Sequence, residues 1–483
     1  MVLGLVRRRS HNSICRRSRN SDMETQAQLA QRITENNMKA GFAKVDVTPR
    51  LGVELAGYGP YLHRTAGAVR DRIWARAMAV RAGHNTAIIV SCDLIGIPLA
   101  MTRRVRAGLS RASGVPPESI MLHCTHPHSG PAPGSYIGWG EPDPPYLEVL
   151  PGKIVRAGAE AVQRLEECTL FHAEVPCEGI GYNRVYDERP EELEEVLSED
   201  WRPASPELTD TTCRVLTARD RGNRLIGFCS YFGCHPVIGS SKSRYIHGDY
   251  CGVATNMLER EHPGAVGLFL QGAQGDVNTC AVHWGEQESL RALDVIAARY
   301  ARQVRAGFEA AEPLPLEGIS AVLREIRFSR EDWSMDKMRE MLAEQKTVLH
   351  APGASDGDRD VRMAMVYAKA LRDLIARKAS GESLSPLTQV QGIRLGPLSL
   401  LACPLEVFQA IKEEVVDEAA APIPLVMGIT NDTLGYAVDR AETPAHEYAR
   451  RRVPFICGEL PFSDIHGELC ATLLELDDTL QDN

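Results

Sequence analysis

Six apolar runs rich in β-branched residues constrain this chain more than any other feature, because each breaks off into a short polar loop. They are "NTAIIVSCDLIGI" (85–97), "SIMLHC" (119–124), "NRLIGFCSYFGCHP" (223–236), "AVGLFLQGAQGDVN" (265–278), "LGPLSLLACPLEVF" (395–408) and "PLVMGITNDTLGY" (424–436). Runs of this length and composition read as buried strands. Helical periodicity lies between them. "MTRRVRAGLSRASG" ends at Gly114, and "ESLRALDVIAARYARQVRAGFEAA" puts Leu290, Leu293, Ile296, Ala297, Tyr300, Val304 and Phe308 on one face. Strands alternating with helices predict an α/β protein, with mixed sheets flanked by helices.

The 483 residues suffice for two or three ordinary domains or one large α/β unit. We expect the ordered region to begin at "AGFAKVDVTPRLGVELAGYGPY" and to form a single domain over 40–483, preceded by a disordered basic tail, 1–39, that carries "RRRSHNSICRRSRNS". The tail's apolar piece, "MVLGLV", falls short of the roughly 7–15 residue core of a secretory signal. Two stretches stand apart: an acidic, turn-rich segment over 188–208, and two charged amphipathic helices over 329–383, read as a helical hairpin inserted at the surface as a lid or an oligomer contact. A homo-oligomer is thereby allowed.

A net charge of -10 offers no basic surplus to neutralise phosphates, which excludes nucleic acid as an expected partner. No stretch is apolar enough for a membrane span, so a cytoplasmic location is the default expectation. The thirteen cysteines include no CxxC, and several sit inside apolar runs, as reduced core thiols do.

The polar loops carry the chemistry. His126 and His128 follow one strand, His235 a second, Gln274 to Asn278 a third, Glu406 a fourth and Asn431 to Tyr436 a fifth. In α/β folds such strand-end loops converge on the ligand crevice. Imidazole nitrogens and a carboxylate oxygen are zinc donors, and a phenolate can add to them. Pro127 stiffens "HPH"; an extended backbone would point His126 and His128 the same way, and chemistry alone leaves open which binds metal. His123 lies within its strand and reads as a hydrogen-bonded core histidine. Asp93, ending another strand, is a carboxylate that either orients a ligand histidine or caps a loop.

The segments "AKVDVTPRLGVELAGYG", "RIWARAMAV", "VSCDL", "THPHSGP", "YNR", "GCHPV", "HGDY", "QGAQGDVN", "PLE" and "GITNDTLGYAVDRAETPAHEY" occur in an order that resembles the neutral/alkaline non-lysosomal ceramidase family, from Ala40 to about Leu474. The resemblance implies a ceramidase-like α/β catalytic domain with one zinc per chain, held by His126, His235, Glu406 and Tyr436. It implies His128 as the proton-transfer group, and Arg184 and Tyr448 as the groups that hold the substrate carbonyl and its developing oxyanion. Two substrate-meeting positions depart from the family pattern: Asn278 stands where the family has serine, and Arg70 where it has histidine. We expect no counterpart here to the secreted members' signal peptide and C-terminal β-sandwich. These departures point away from ceramide itself.

The function expected is zinc-dependent hydrolysis of an amide (N-acyl) bond in a small molecule by metal-activated water. The alternatives are an esterase or phosphoesterase on the same metal, and a non-catalytic ligand-binding protein on the same fold.

Overall fold

The computed structural model describes residues 38–441 and 443–482. The basic tail, apart from residues 38 and 39, lies outside the described residues. The first strand, β1 (Lys39–Asp46), starts one residue ahead of the expected boundary.

Seven further strands join β1 in the main sheet: β2 (Trp74–Ala82), β3 (Asn85–Cys92), β4 (Ile120–Cys124), β5 (Glu166–Pro176), β6 (Thr212–Asp220), β7 (Leu225–Phe232) and β8 (Val266–Gln271). Their order is β8-β7-β6-β5-β1-β2-β3-β4, with the short strand Glu312–Pro313 added on β5. Most pairs are antiparallel, but β3·β4 and β7·β8 are parallel. A second sheet, β9 (Ile319–Ile326), β10 (Thr388–Leu395), β11 (Leu398–Ala402) and β12 (Ile423–Met427), runs in that order and closes with the parallel pair β11·β12.

Each parallel pair needs a crossover connection, and a helix supplies it. Helix α1 (Leu99–Ser113) links β3 to β4. It starts after Pro98, which has no N–H to lose, and stops at Gly114 in the left-handed conformation, φ 74°. Helix α2 (Pro144–Gln163) packs beside α1, and α3 (Asp249–Glu261) links β7 to β8 beside α4 (Glu286–Ala310). On α4 the predicted apolar face is buried from Leu293 onward, while Leu290 is only half-buried. Arg299 joins that face because it donates to the carbonyls of Gly179, Leu197 and Ser198.

The sheets face one another through a shared core of Met78, Ile89, Met121, Leu268, Leu400 and Leu425. Helices α1 to α4 cover the outer face of the first sheet. Helices α7 (Gln409–Glu418) and α8 (Ile465–Asp482) cover the outer face of the second. The result is a four-layer α/β/β/α stack. The hairpin expected over 329–383 is α5 (Met335–Leu349), N-capped by Ser334, and α6 (Arg359–Ala379). Helix α6 packs on the short helix Val453–Ile456. Every cysteine among the described residues is free.

Candidate active site

The carboxyl ends of the three parallel pairs meet at one place. Strand β4 delivers His126 and His128, β7 delivers His235, and β11 delivers Glu406. Beyond β12, Tyr436 lies opposite Glu406 in a two-residue parallel pairing. The β4 and β8 ends are tied by His123, whose Nε2 accepts from the Gln271 N–H (2.8 Å) while Nδ1 meets Thr430 Oγ1 (3.1 Å). Burial holds that imidazole down to about 3, so it is the neutral core histidine its position suggested.

Histidines 126, 128 and 235 offer ring nitrogens that lie within 4.8 Å of one another. His126 Nε2 is 3.5 Å and His235 Nε2 3.6 Å from the same Glu406 oxygen, and the Nε2 atoms of His235 and His128 are 3.2 Å apart. His126 adopts φ 70°, not the extended backbone expected for it, yet its ring still reaches the cluster. Its Nδ1–H donates to the Ile95 carbonyl (2.5 Å), which fixes the tautomer and leaves the Nε2 lone pair facing Glu406. That carbonyl does the orienting for which Asp93 was a candidate. Asp93 instead accepts from Arg76 (2.7 Å) and the Trp74 N–H (2.9 Å), deep in the core.

The electrostatics are those of a cation site. Burial, with the charge of Arg184 adding to it, holds His126 down to about 3, and His128 and His235 are also held well down by burial. Three neutral imidazoles therefore present lone pairs. Burial pushes Glu406 up to about 7 against a hydrogen bond from Tyr436 and the charge of Arg184. Its Oε2 has no hydrogen-bond partner despite being buried. Unsatisfied buried carboxylate oxygen facing imidazole lone pairs is costly unless a cation is shared. The donor set thus fits zinc.

Arg184 leaves the strand Gly181–Asn183 and donates to the Gly275 carbonyl (2.6 Å), with its guanidinium 5.2 Å from the Tyr436 ring centre. Tyr448 opens a single π-helical turn, a distortion frequent at functional sites. Its ring is 6.5 Å from that of Tyr436 and lines the cleft, while the residue as a whole is 39% exposed. The narrow cleft above these groups, about 40 Å³, is walled by Ile95, Tyr136, Trp139, Val453 and Ile456.

Two sequence-predicted residues remain. Arg70 is not brought to this cleft: its guanidinium is held by Asp71 and by Asp294, an ion pair made across 224 positions of chain. Asn278 is next to His235 through a backbone bridge, and its side chain is buried beside Tyr182.

Residues around His128 were not foreseen. Arg64, buried, donates to the His128 carbonyl (2.6 Å) and to the carbonyls of Ser243 and Ala56, and Tyr58 packs edge-on against the His128 ring. The only sequence signal near them is the glycine pair of "GYG", Gly57 and Gly59. At Gly57, φ is 100° and a Cβ would lie 2.4 Å from the His128 ring. Gly57→Ala should therefore displace that imidazole and lower kcat by about a hundredfold, with zinc content unchanged; wild-type turnover in this variant would show that the ring has room to move.

The N-terminal domain profile of the neutral/alkaline non-lysosomal ceramidases matches residues 38–282. The chain belongs to that family. The matched region contains His126, His128, Arg184 and His235 and stops short of Glu406. Two solved ceramidases share the fold. Neutral ceramidase from Pseudomonas aeruginosa aligns at 19% identity over 93% of this chain and 75% of its own, with a TM-score of 0.69. A ceramidase complexed with C2 aligns at 20% identity over 93% and 76%, with a TM-score of 0.70. No curated protein matches the chain. Among the described residues of this ceramidase-family chain, no helix is long and apolar enough to cross a membrane.

Proposed function

We propose that this ceramidase-family hydrolase cleaves an amide bond in a small N-acyl compound, using one zinc ion held by His126, His235, Glu406 and Tyr436. The observation that carries the reading is the convergence of two imidazoles on a buried Glu406 oxygen that has no other partner. Zinc bound there would lower the pKa of a water toward ~7 and polarise the scissile carbonyl.

The chain's own groups do the rest. His128 Nε2 faces His235 and lines the cleft; it takes a proton from the attacking water and returns it to the leaving amine. Arg184 is kept charged by Tyr436 and Glu406. With the Tyr448 hydroxyl it hydrogen-bonds the developing oxyanion, each well-aimed donor contributing about 2.7–4 kcal/mol. The walls of Ile95, Trp139, Val453 and Ile456 take the apolar acyl part and exclude water.

A panel of N-acyl and phosphoester chromogenic substrates tests the reaction class. Amide turnover is expected, lost on chelation and restored by zinc. Turnover of phosphoesters alone, or of neither class with no metal bound, would sink this reading.

A further inference from the structure

A second set of metal donors lies away from the catalytic cluster, between α7 and α8. Glu414 projects from α7. His466 and Cys470, four positions apart, share one face of α8. One donor atom from each residue falls within 4.8 Å of the other two, and His466 Nε2 is 2.9 Å from a Glu414 oxygen.

Cys470 is buried in the core beside Leu469 and Leu473, and its thiol meets the Glu414 carboxylate and, weakly at 3.9 Å, the Ile411 carbonyl. His466 is 7% exposed, and its buried Nδ1 has no partner, so the bond to Glu414 leaves the imidazole half satisfied. A thiol, an imidazole and a carboxylate converging at this range form the mixed sulfur, nitrogen and oxygen set that zinc favours. Two ligands at i and i+4 on one helix with a third from a neighbouring helix is a common way to supply them. The Glu414 side chain is 36% exposed, and a cleft of about 260 Å³ bordered by Arg440, Asp464 and His466 reaches the imidazole from solvent. An ion therefore has a way in, and a water has room to complete the coordination.

We infer that Glu414, His466 and Cys470 form a second, structural site for a divalent metal of the zinc type, clamping α8 onto α7. Binding breaks the Cys470 S–H bond, forms a sulfur–metal bond and releases one proton to solvent. The clamp acts on the helix that begins three residues after Glu406, so it would also steady the loop carrying that carboxylate.

Cobalt substitution in the full-length protein separates the two sites, because only this one has sulfur. The wild-type chain should bind two equivalents of cobalt(II) and show a thiolate-to-cobalt charge-transfer band. His126→Ala should keep one equivalent and the band. Cys470→Ser should keep one equivalent without it. Glu414→Gln, changed on the solvent side of its helix, should weaken cobalt binding at this site at least tenfold while its circular dichroism stays that of wild type, covering the case in which the serine variant misfolds. A wild-type chain with no charge-transfer band, or a band that survives Cys470→Ser, would overturn the second site. A His126→Ala chain that keeps both equivalents would instead count against the catalytic assignment and leave this one standing.

Discussion

Replacing His235 with alanine should empty the catalytic position of zinc and lower kcat/KM by about a thousandfold or more. The reasoning is local. His235 and His126 approach the same Glu406 oxygen, at 3.6 and 3.5 Å, so either imidazole is half of the neutral donor set. A metal that activates water contributes several kcal/mol to the transition state, and about 1.4 kcal/mol is tenfold in rate. His128→Ala is the informative contrast. It should keep zinc and lose about 10²–10⁴ in kcat, the usual range for a proton-transfer group. Metal content by plasma emission, measured on both variants beside their kinetics, decides the matter. Zinc lost from His128→Ala but kept in His235→Ala would reverse the roles within the pair whose Nε2 atoms are 3.2 Å apart.

Asp93→Ala should cost about 3–5 kcal/mol of stability, the range for breaking a buried ion pair by removing one partner. Arg76 is 2% exposed and is neutralised by Asp93 at 2.7 Å and by Glu259 at 3.2 Å, with Asn256 taking another N–H. Removing Asp93 leaves the guanidinium buried with one carboxylate, which Lys44 also claims. It also orphans the Trp74 N–H at the entrance to β2. A urea titration of the holo-protein should show the midpoint falling sharply, and an unchanged midpoint would mean that the network is energetically slack.

The fold class and the clustering of His126, His128 and His235 were legible because both follow from local pattern. Buried strands announce themselves as apolar runs, and the polar residues just past their ends are where α/β proteins place ligands. His123 was readable as core for the same reason, since it falls inside its strand. What was illegible is long-range. Nothing near Arg70 in sequence reveals Asp294, so an arginine expected to meet substrate turned out to be held in an ion pair. Nothing in "GYG" says that a histidine ring will press against its first glycine. The Glu414, His466 and Cys470 grouping has its carboxylate 52 positions from its imidazole, and each residue alone reads as ordinary helix surface or core. The hairpin over 329–383 was visible as charged helices, but its packing behind Val453–Ile456, a wall of the cleft, depends on tertiary contacts.

The way the catalytic groups are spread along the chain has a consequence for biogenesis. His126 and His128 are synthesised long before Glu406, Tyr436 and Tyr448. The site closes only once β11 and β12 have joined residues made much earlier, and pairings so distant in sequence form slowly. Under the proposed assignment, hydrolytic capacity therefore arises only after Tyr448 has been translated and these late pairings have formed.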